Sequence, residues 1–162
     1  MAVSYGTNTA FETARTTLVT TLGNMLTQMT TDGVSPSFGA VYSTHEGTVG
    51  MTMPALTIGL TAADGTLPAL KSSPAGPVVD IMIAVALRVH LGYANVYHDE
   101  IKFWRLANSV INWFESHRDL ETTGPRIESQ FRVEAGGKFR DTATLGGTVS
   151  FVIRITEAYV AL

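Results

Sequence analysis

Apolar residues along this chain recur with two different periods, and the switches between them mark out the elements. From about Thr9 to Thr30, Phe11, Arg15, Leu18, Leu22, Met25 and Met29 follow three- and four-residue steps. With Ala14 and Leu26 they form one stripe of an amphipathic helix. Asn8 or Thr9 is suited to cap its start, Glu12 falls in its first turn, and Asp32-Gly33 stops it. Thr13, Thr16, Thr17, Thr20 and Thr21 are poor helix formers, so packing rather than propensity must hold this helix.

The period then drops to two. After a Gly- and Thr-rich stretch (35–55), with a short strand expected over Phe38 to Tyr42 and a turn at Glu46-Gly47, the segment Ala55 to Ala62 alternates. Leu56, Ile58 and Leu60 point one way, Thr57, Gly59 and Thr61 the other, as in a half-buried strand. Ala63 to Pro77 holds Asp64-Gly65, Pro68, Ser72-Ser73-Pro74 and Gly76-Pro77, and reads as a long loop. Val78 to Leu91 gives the strongest strand pattern: Val79, Ile81, Ile83, Val85, Leu87 and Val89 share a face. Opposite lie Asp80, Met82, Ala84, Ala86, Arg88 and His90, a mildly apolar face suited to partial contact.

A second helix is expected from about Asp99 to Arg118. Ile101, Trp104, Ala107, Ile111 and Phe114 make one stripe, and Phe103, Leu106, Val110 and Trp113 a second beside it. A helix hydrophobic almost all round is usually buried on more than one side, so part of it is expected to face another subunit. Ile127 to Glu134 and Thr148 to Tyr159 read as a closing strand pair. Between them, 135–147 carries paired glycines at both ends, which suggests a projecting hairpin arm. The pattern thus predicts one α+β domain over 1–162: a mixed, mainly antiparallel sheet packed against two helices, with that arm.

Composition narrows the function classes. Charged residues make up 15% of the chain against a usual share of about a quarter, leaving much of the exterior neutral and suited to contacting other protein. The net charge of −3 argues against a dedicated nucleic-acid binder. Arg15 is the only cation before Lys71, so any basic face belongs to the C-terminal half. There is no cysteine, which excludes disulfides and thiolate chemistry. Met1-Ala2-Val3-Ser4 lacks a basic secretory n-region, and no apolar run approaches the ~20 residues of a membrane span. The expectation is a soluble protein of cytoplasmic origin.

No constellation of an active site emerges. His98-Asp99-Glu100 has the look of a ligand cluster but belongs to a helix start, where acids favour the dipole. His98 and His117 lie about 28 Å apart along one helix and cannot share an ion. His45 lies in a loop with no second histidine nearby, and His90 reads as an ordinary surface or interface residue on the polar face of its strand. HExxH, EF-hand, Gly-x-Ser-x-Gly and dinucleotide patterns are absent. Gly136-Gly137-Lys138 fails as a phosphate loop, because Arg132 and Phe139 stand where a glycine and a Ser or Thr are needed. No catalytic residue, metal ligand or cofactor site is therefore expected.

The order of elements and their texture carry a resemblance. A Thr-rich first helix leads into Gly/Thr-rich loops, then Val79-Asp80-Ile81-Met82-Ile83, a helix with Phe103-Trp104-Arg105-Leu106-Ala107-Asn108, and a close on Gly147-Thr148-Val149-Ser150-Phe151-Val152-Ile153-Arg154-Ile155. Over nearly its whole length the chain resembles the tail terminator (tail completion) proteins of tailed bacteriophages, and more broadly their neck and connector proteins. The resemblance implies a structural virion protein that is not an enzyme. It implies a homo-oligomeric ring, a hexamer, that caps the tail tube, ends its elongation and offers a joining surface to the head. Its partners would be the tail tube protein and a head-completion or neck protein, and DNA would pass through the lumen without being read. Residues 138–140 of the arm (Lys138, Phe139, Arg140), with Phe103 and Trp113 of the second helix, are the candidate subunit or partner contacts.

Three other readings stay open. The chain could be a different neck or tail tube subunit. It could be a small enzyme or ligand-binding domain using a pocket beside Ser72 to Pro77 with His90 or His98. A nucleic-acid module would need Arg126, Arg132, Lys138, Arg140 and Arg154 on one face.

Overall fold

Strict alternation over Val79–Val89 has the consequence expected of it, a long strand that forms the middle of a sheet. The computed structural model describes residues 7–45, 50–62, 69–73, 76–93, 100–120, 125–135, 138–139 and 144–158. In chain order these form α1 (Thr7–Thr31), β1 (Ala40–Tyr42), β2 (Ala55–Ala62), β3 (Ala69–Ser73), β4 (Gly76–Tyr93), α2 (Glu100–Ser116), β5 (Arg126–Ile127), β6 (Arg132–Glu134), β7 (Lys138–Phe139) and β8 (Thr144–Ala158). The fold is α+β, with one mixed, mostly antiparallel sheet and two helices.

The strands fall into five lanes. β4 and β8 pair antiparallel from Val78↔Ala158 to Tyr93↔Thr144 and form the central ribbon. The other edge of β4 is shared by β2, along Ile83–His90, and β3, along Gly76–Asp80. The other edge of β8 is shared by β5, β6 and β7. β1 joins β2 in parallel, the one parallel pairing among the described strands.

Both helices cover the same sheet face. Ile81, Ile83, Val85, Leu87 and Val89 meet Val149, Phe151, Ile153 and Ile155 across the ribbon, and all are buried. Onto them α1 packs Ala10, Ala14, Leu18, Leu22, Met25 and Met29, and α2 packs Phe103, Leu106, Ala107, Val110 and Phe114. Phe151 stands between Phe114 and Phe131, with ring centroids 5.0 and 5.2 Å away. Packing does hold the Thr-rich helix: Thr17 and Thr21 are buried, while Thr27, Thr30 and Thr31 donate to carbonyls one turn back. Gly33, at φ 66°, ends it as expected; its N–H reaches Thr30 O while Val34 N–H reaches Met29 O, satisfying two terminal carbonyls.

Three expectations need correction. The stretch 63–77 is not wholly a loop, because Ala69–Ser73 is β3 and forms a hairpin with β4. Its sequence lacks the alternation that would mark a strand, and pairing to the end of a long neighbour supplies the order instead. Since α1 starts at Thr7, Glu12 lies in its second turn, and the first turn holds no acid. β8 begins at Thr144, so the closing hairpin is zipped further than expected, with Lys138↔Leu145 and Phe139↔Thr144. Residues 140–143 of that arm lie outside the described residues, as do the Glu46-Gly47 turn and His98-Asp99.

Candidate functional site

With both helices on one face, the other is left to small and polar side chains. Register places them in rows across the lanes. Gly59, Ala86, Ser150 and Arg132 stand opposite one another, and beside them Thr61, Ala84 and Val152. Lanes are about 4.8 Å apart, so the first row spans roughly 14 Å from β2 to β6. Because glycine, alanine and serine fill its middle, the face sinks into a depression of about 520 Å³, edged by His45, Ser129, Gln130 and Arg132.

His45 closes one end. A Cβ on Gly59 would lie 2.3 Å from its Nε2, so the ring occupies the space that the glycine leaves. Its Nδ1 is 2.7 Å from Thr57 Oγ1, which is 2.7 Å from His90 Nε2; His90 Nδ1 is 2.5 Å from Thr144 Oγ1. Thr57, His90 and Thr144 are all fully buried. This corrects the reading of His90 as a surface residue. The end of the hairpin folds over it, with Phe139 at 5.0 Å between ring centroids, and two hydroxyls meet its nitrogens. Its partners come from positions 33 and 54 residues away, which no local pattern announces.

Charge on this face is paired. Arg126, Arg132 and Arg154 do share it, as a nucleic-acid module would require, but each has an acid beside it. The distances are 3.5 Å to Asp119, 3.7 Å to Glu134 and 3.1 Å to Glu128. Arg88 lies 4.7 Å over the Phe139 ring. Arg126, Arg132 and Arg154, each matched by a carboxylate, make no basic footprint for a phosphate backbone on their own.

The contact residues anticipated from sequence are scattered. Phe103 is fully buried on the sheet-facing side of α2 and has no surface to offer a neighbour. Trp113 is half-buried between the helices, where its indole donates to Thr21 Oγ1 at 3.1 Å and stacks on His117. Phe139 packs on His90 and Arg88. Lys138 sits on the outer lane, and Arg140 is outside the described residues. The exposed apolar side chains of α2 are instead Ile101, 66% exposed, and Trp104, 42%. A second open surface runs between α1 and α2, where depressions of about 380 and 260 Å³ lie on either side of Trp113 and His117.

Among the described residues no three His, Asp or Glu side chains converge as a metal site. No described helix is long and apolar enough to cross a membrane. The chain matches no protein-family model, and no curated protein matches it.

Proposed function

We propose that the protein is a structural component of a phage virion, a ring-forming tail terminator that caps the tail tube and presents a joining surface to the head. The observation that carries the assembly half of this reading is the one-sided cover of the sheet. Its bare face has an uncharged centre and a rim of paired charges, the charge distribution of a protein–protein interface. A ring needs two different surfaces per subunit, because head-to-tail contacts close only when unlike patches meet. The bare sheet face is one, and the Ile101–Trp104 end of α2 is the other. The phage half rests on the resemblance in element order and length. Mechanism on this reading is geometric: closure of the ring leaves no free subunit-binding face, and growth of the tube stops.

The test is the mass of the purified protein, by light scattering and native mass spectrometry, alone and with isolated tail tubes. A discrete closed oligomer of about six copies, lost in Ala86→Arg with the fold retained, is the expected result. A protein that stays monomeric and also leaves tube ends uncapped overturns the proposal. Open-ended polymers would instead identify a tube subunit.

A further inference from the structure

We infer that the groove between the C-terminal halves of α1 and α2 is a docking site for a basic amphipathic helix of a partner protein, with a Lys or Arg of that helix set against Asp32. An apolar channel, a carboxylate without a cation and two helix ends of the same sign meet at this one place.

Both helices cover one sheet face, but the space between them stays open. Trp113 of α2 spans it, held by its bond to Thr21 Oγ1 and by the stacked ring of His117. On one side of this partition lies the depression of about 380 Å³, on the other that of about 260 Å³. Met25 and Met29 line the larger one together with Val34, a large apolar side chain that is 39% exposed. Methionine adapts its shape to what it meets, which suits a surface that receives a side chain from outside. Gln28, Ser109, Asn112 and Ser116 supply polar walls. Such a channel between two helices is the shape into which a third lays its apolar stripe.

The charge of the groove is of one sign. Asp32 and Asp119 line the two depressions, and among the described residues no Lys or Arg joins them. Asp119 has Arg126 at 3.5 Å. Asp32 has no cation among the described residues: its two oxygens accept from the Gln28 amide at 3.0 and 2.9 Å, a neutral donor that leaves the charge whole.

The backbone adds to this. A helix carries roughly half a negative charge at its C-terminus, which a Lys or Arg in the last turn offsets. Neither α1 nor α2 has a basic residue in its last turn, and both ends flank the groove. Arg118, just beyond α2, is committed to Glu115 and to Ser129 O. His117 Nδ1–H donates to Trp113 O at 2.7 Å, so the neutral ring keeps Nε2 as an acceptor for a donor from outside.

These features select the occupant. An acidic or wholly apolar segment would cover the carboxylate and the helix ends without compensating them, at a cost. A Lys or Arg beside an apolar stripe instead lays its methylene stem along the apolar floor and brings its charge to Asp32. This chain exposes one comparable segment, Ile101 and Trp104 with Arg105. On the proposed ring that segment is already engaged at the bare sheet face, so the docking helix comes from a different protein. Only this last step rests on the assembly reading.

The experiment is isothermal titration of the full chain with a Leu/Lys amphipathic helical peptide and with a Leu/Glu peptide of the same pattern. The Leu/Lys peptide is expected to bind and the Leu/Glu peptide not to. Asp32→Asn should weaken binding about threefold, the worth of one exposed ion pair, and Val34→Lys should abolish it. Glu12→Gln removes an equal charge about 30 Å away along α1 and should change nothing. It separates a local site from general attraction to an acidic protein. Absence of binding, equal binding of the two peptides, or equal loss in Glu12→Gln and Asp32→Asn overturns the inference. Sedimentation with and without the peptide then identifies the natural occupant. A peptide that disperses a self-assembled oligomer makes the groove a contact between copies and overturns its assignment to a different protein. A chain that is monomeric throughout fails the ring reading, and the titration still decides the groove.

Discussion

The ring of Phe103 lies directly over Gly147, close enough that a Cβ there would stand 2.4 Å from its Cε2 and Cζ, with the backbone oxygen of Glu134 at 2.5 Å limiting how far a smaller ring-side residue could relieve it. Helix α2 thus rests on β8 through an aromatic ring seated where the strand has no side chain. Gly147→Ala is expected to cost about 1–3 kcal/mol by overpacking. Phe103→Leu, destabilising alone, should recover part of that loss in a double-mutant cycle followed by chemical denaturation.

Its neighbour is enclosed by backbone alone and more tightly. A Cβ on Gly146 would come 1.7 Å from Val89 O, an atom of the β4 backbone. No side-chain change makes room there. Gly146→Ala should lose more stability than Gly147→Ala and gain nothing from Phe103→Leu, as thermal melts of the three variants would show.

Trp113 is expected to stabilise the protomer rather than to bind a neighbour. Trp113→Phe removes the bond to Thr21, a loss of about 1 kcal/mol. Thr21→Val should cost a similar amount, and the double variant less than the sum, because both delete one bond.

The end of α2 carries a pH dependence of known sign. A hydrogen bond from Arg118 holds the Glu115 carboxyl below its ordinary value, with the pair at 2.9 Å. A depressed carboxylate contributes stability that is present above its unfolded value and is lost as pH falls through the folded one. Glu115→Gln should therefore flatten the acid side of the stability curve slightly. Arg118→Ala should lower the melting temperature more at neutral pH, since Arg118 also donates to Ser129 O and lies over the Phe131 ring.

Ile101 and Trp104 separate assembly from folding. Ile101, the more exposed, should tolerate Ile101→Ser with a change within about 0.5 kcal/mol, whereas Trp104→Ser also loses the edge-on contact with Phe103 and should cost more. On the ring reading, the same variants reduce the oligomer at equal concentration. Sedimentation of folded variants checks both statements together.

Much of the architecture was legible because it is written in period. The alternation of Ile81–Val89 and Val149–Ile155 and the stripes through Leu18–Leu22 and Leu106–Val110 supply the residues that meet in the core. What escaped is set by partners far along the chain. β3 carries Ala-Leu-Lys-Ser-Ser, which has no strand signature of its own. His90 sits in phase with polar residues and is nonetheless interior, because Thr57, Phe139 and Thr144 arrive from three other strands. Phe103 and Trp104 are adjacent aromatics of which one is buried and one exposed, and rotation of the helix by a single residue decides which. The bare sheet face was partly foreseen, in the small residues of alternate β4 positions. Its depression was not, since it needs Gly59 and Ser150 brought into one row with Ala86.

The borders of the sheet are short. β1 has three residues, β3 five, and the outer lane along β8 is broken into pieces of two, three and two. Long exposed borders act as templates on which another chain can crystallise as an added strand, the first step toward fibres. Among the described residues the longest borders left uncovered by a neighbour, such as Ile58–Ala62 of β2 beyond the reach of β1, are only five residues long. On the proposed assembly reading, self-association is therefore expected to run through broad surfaces rather than through added strands.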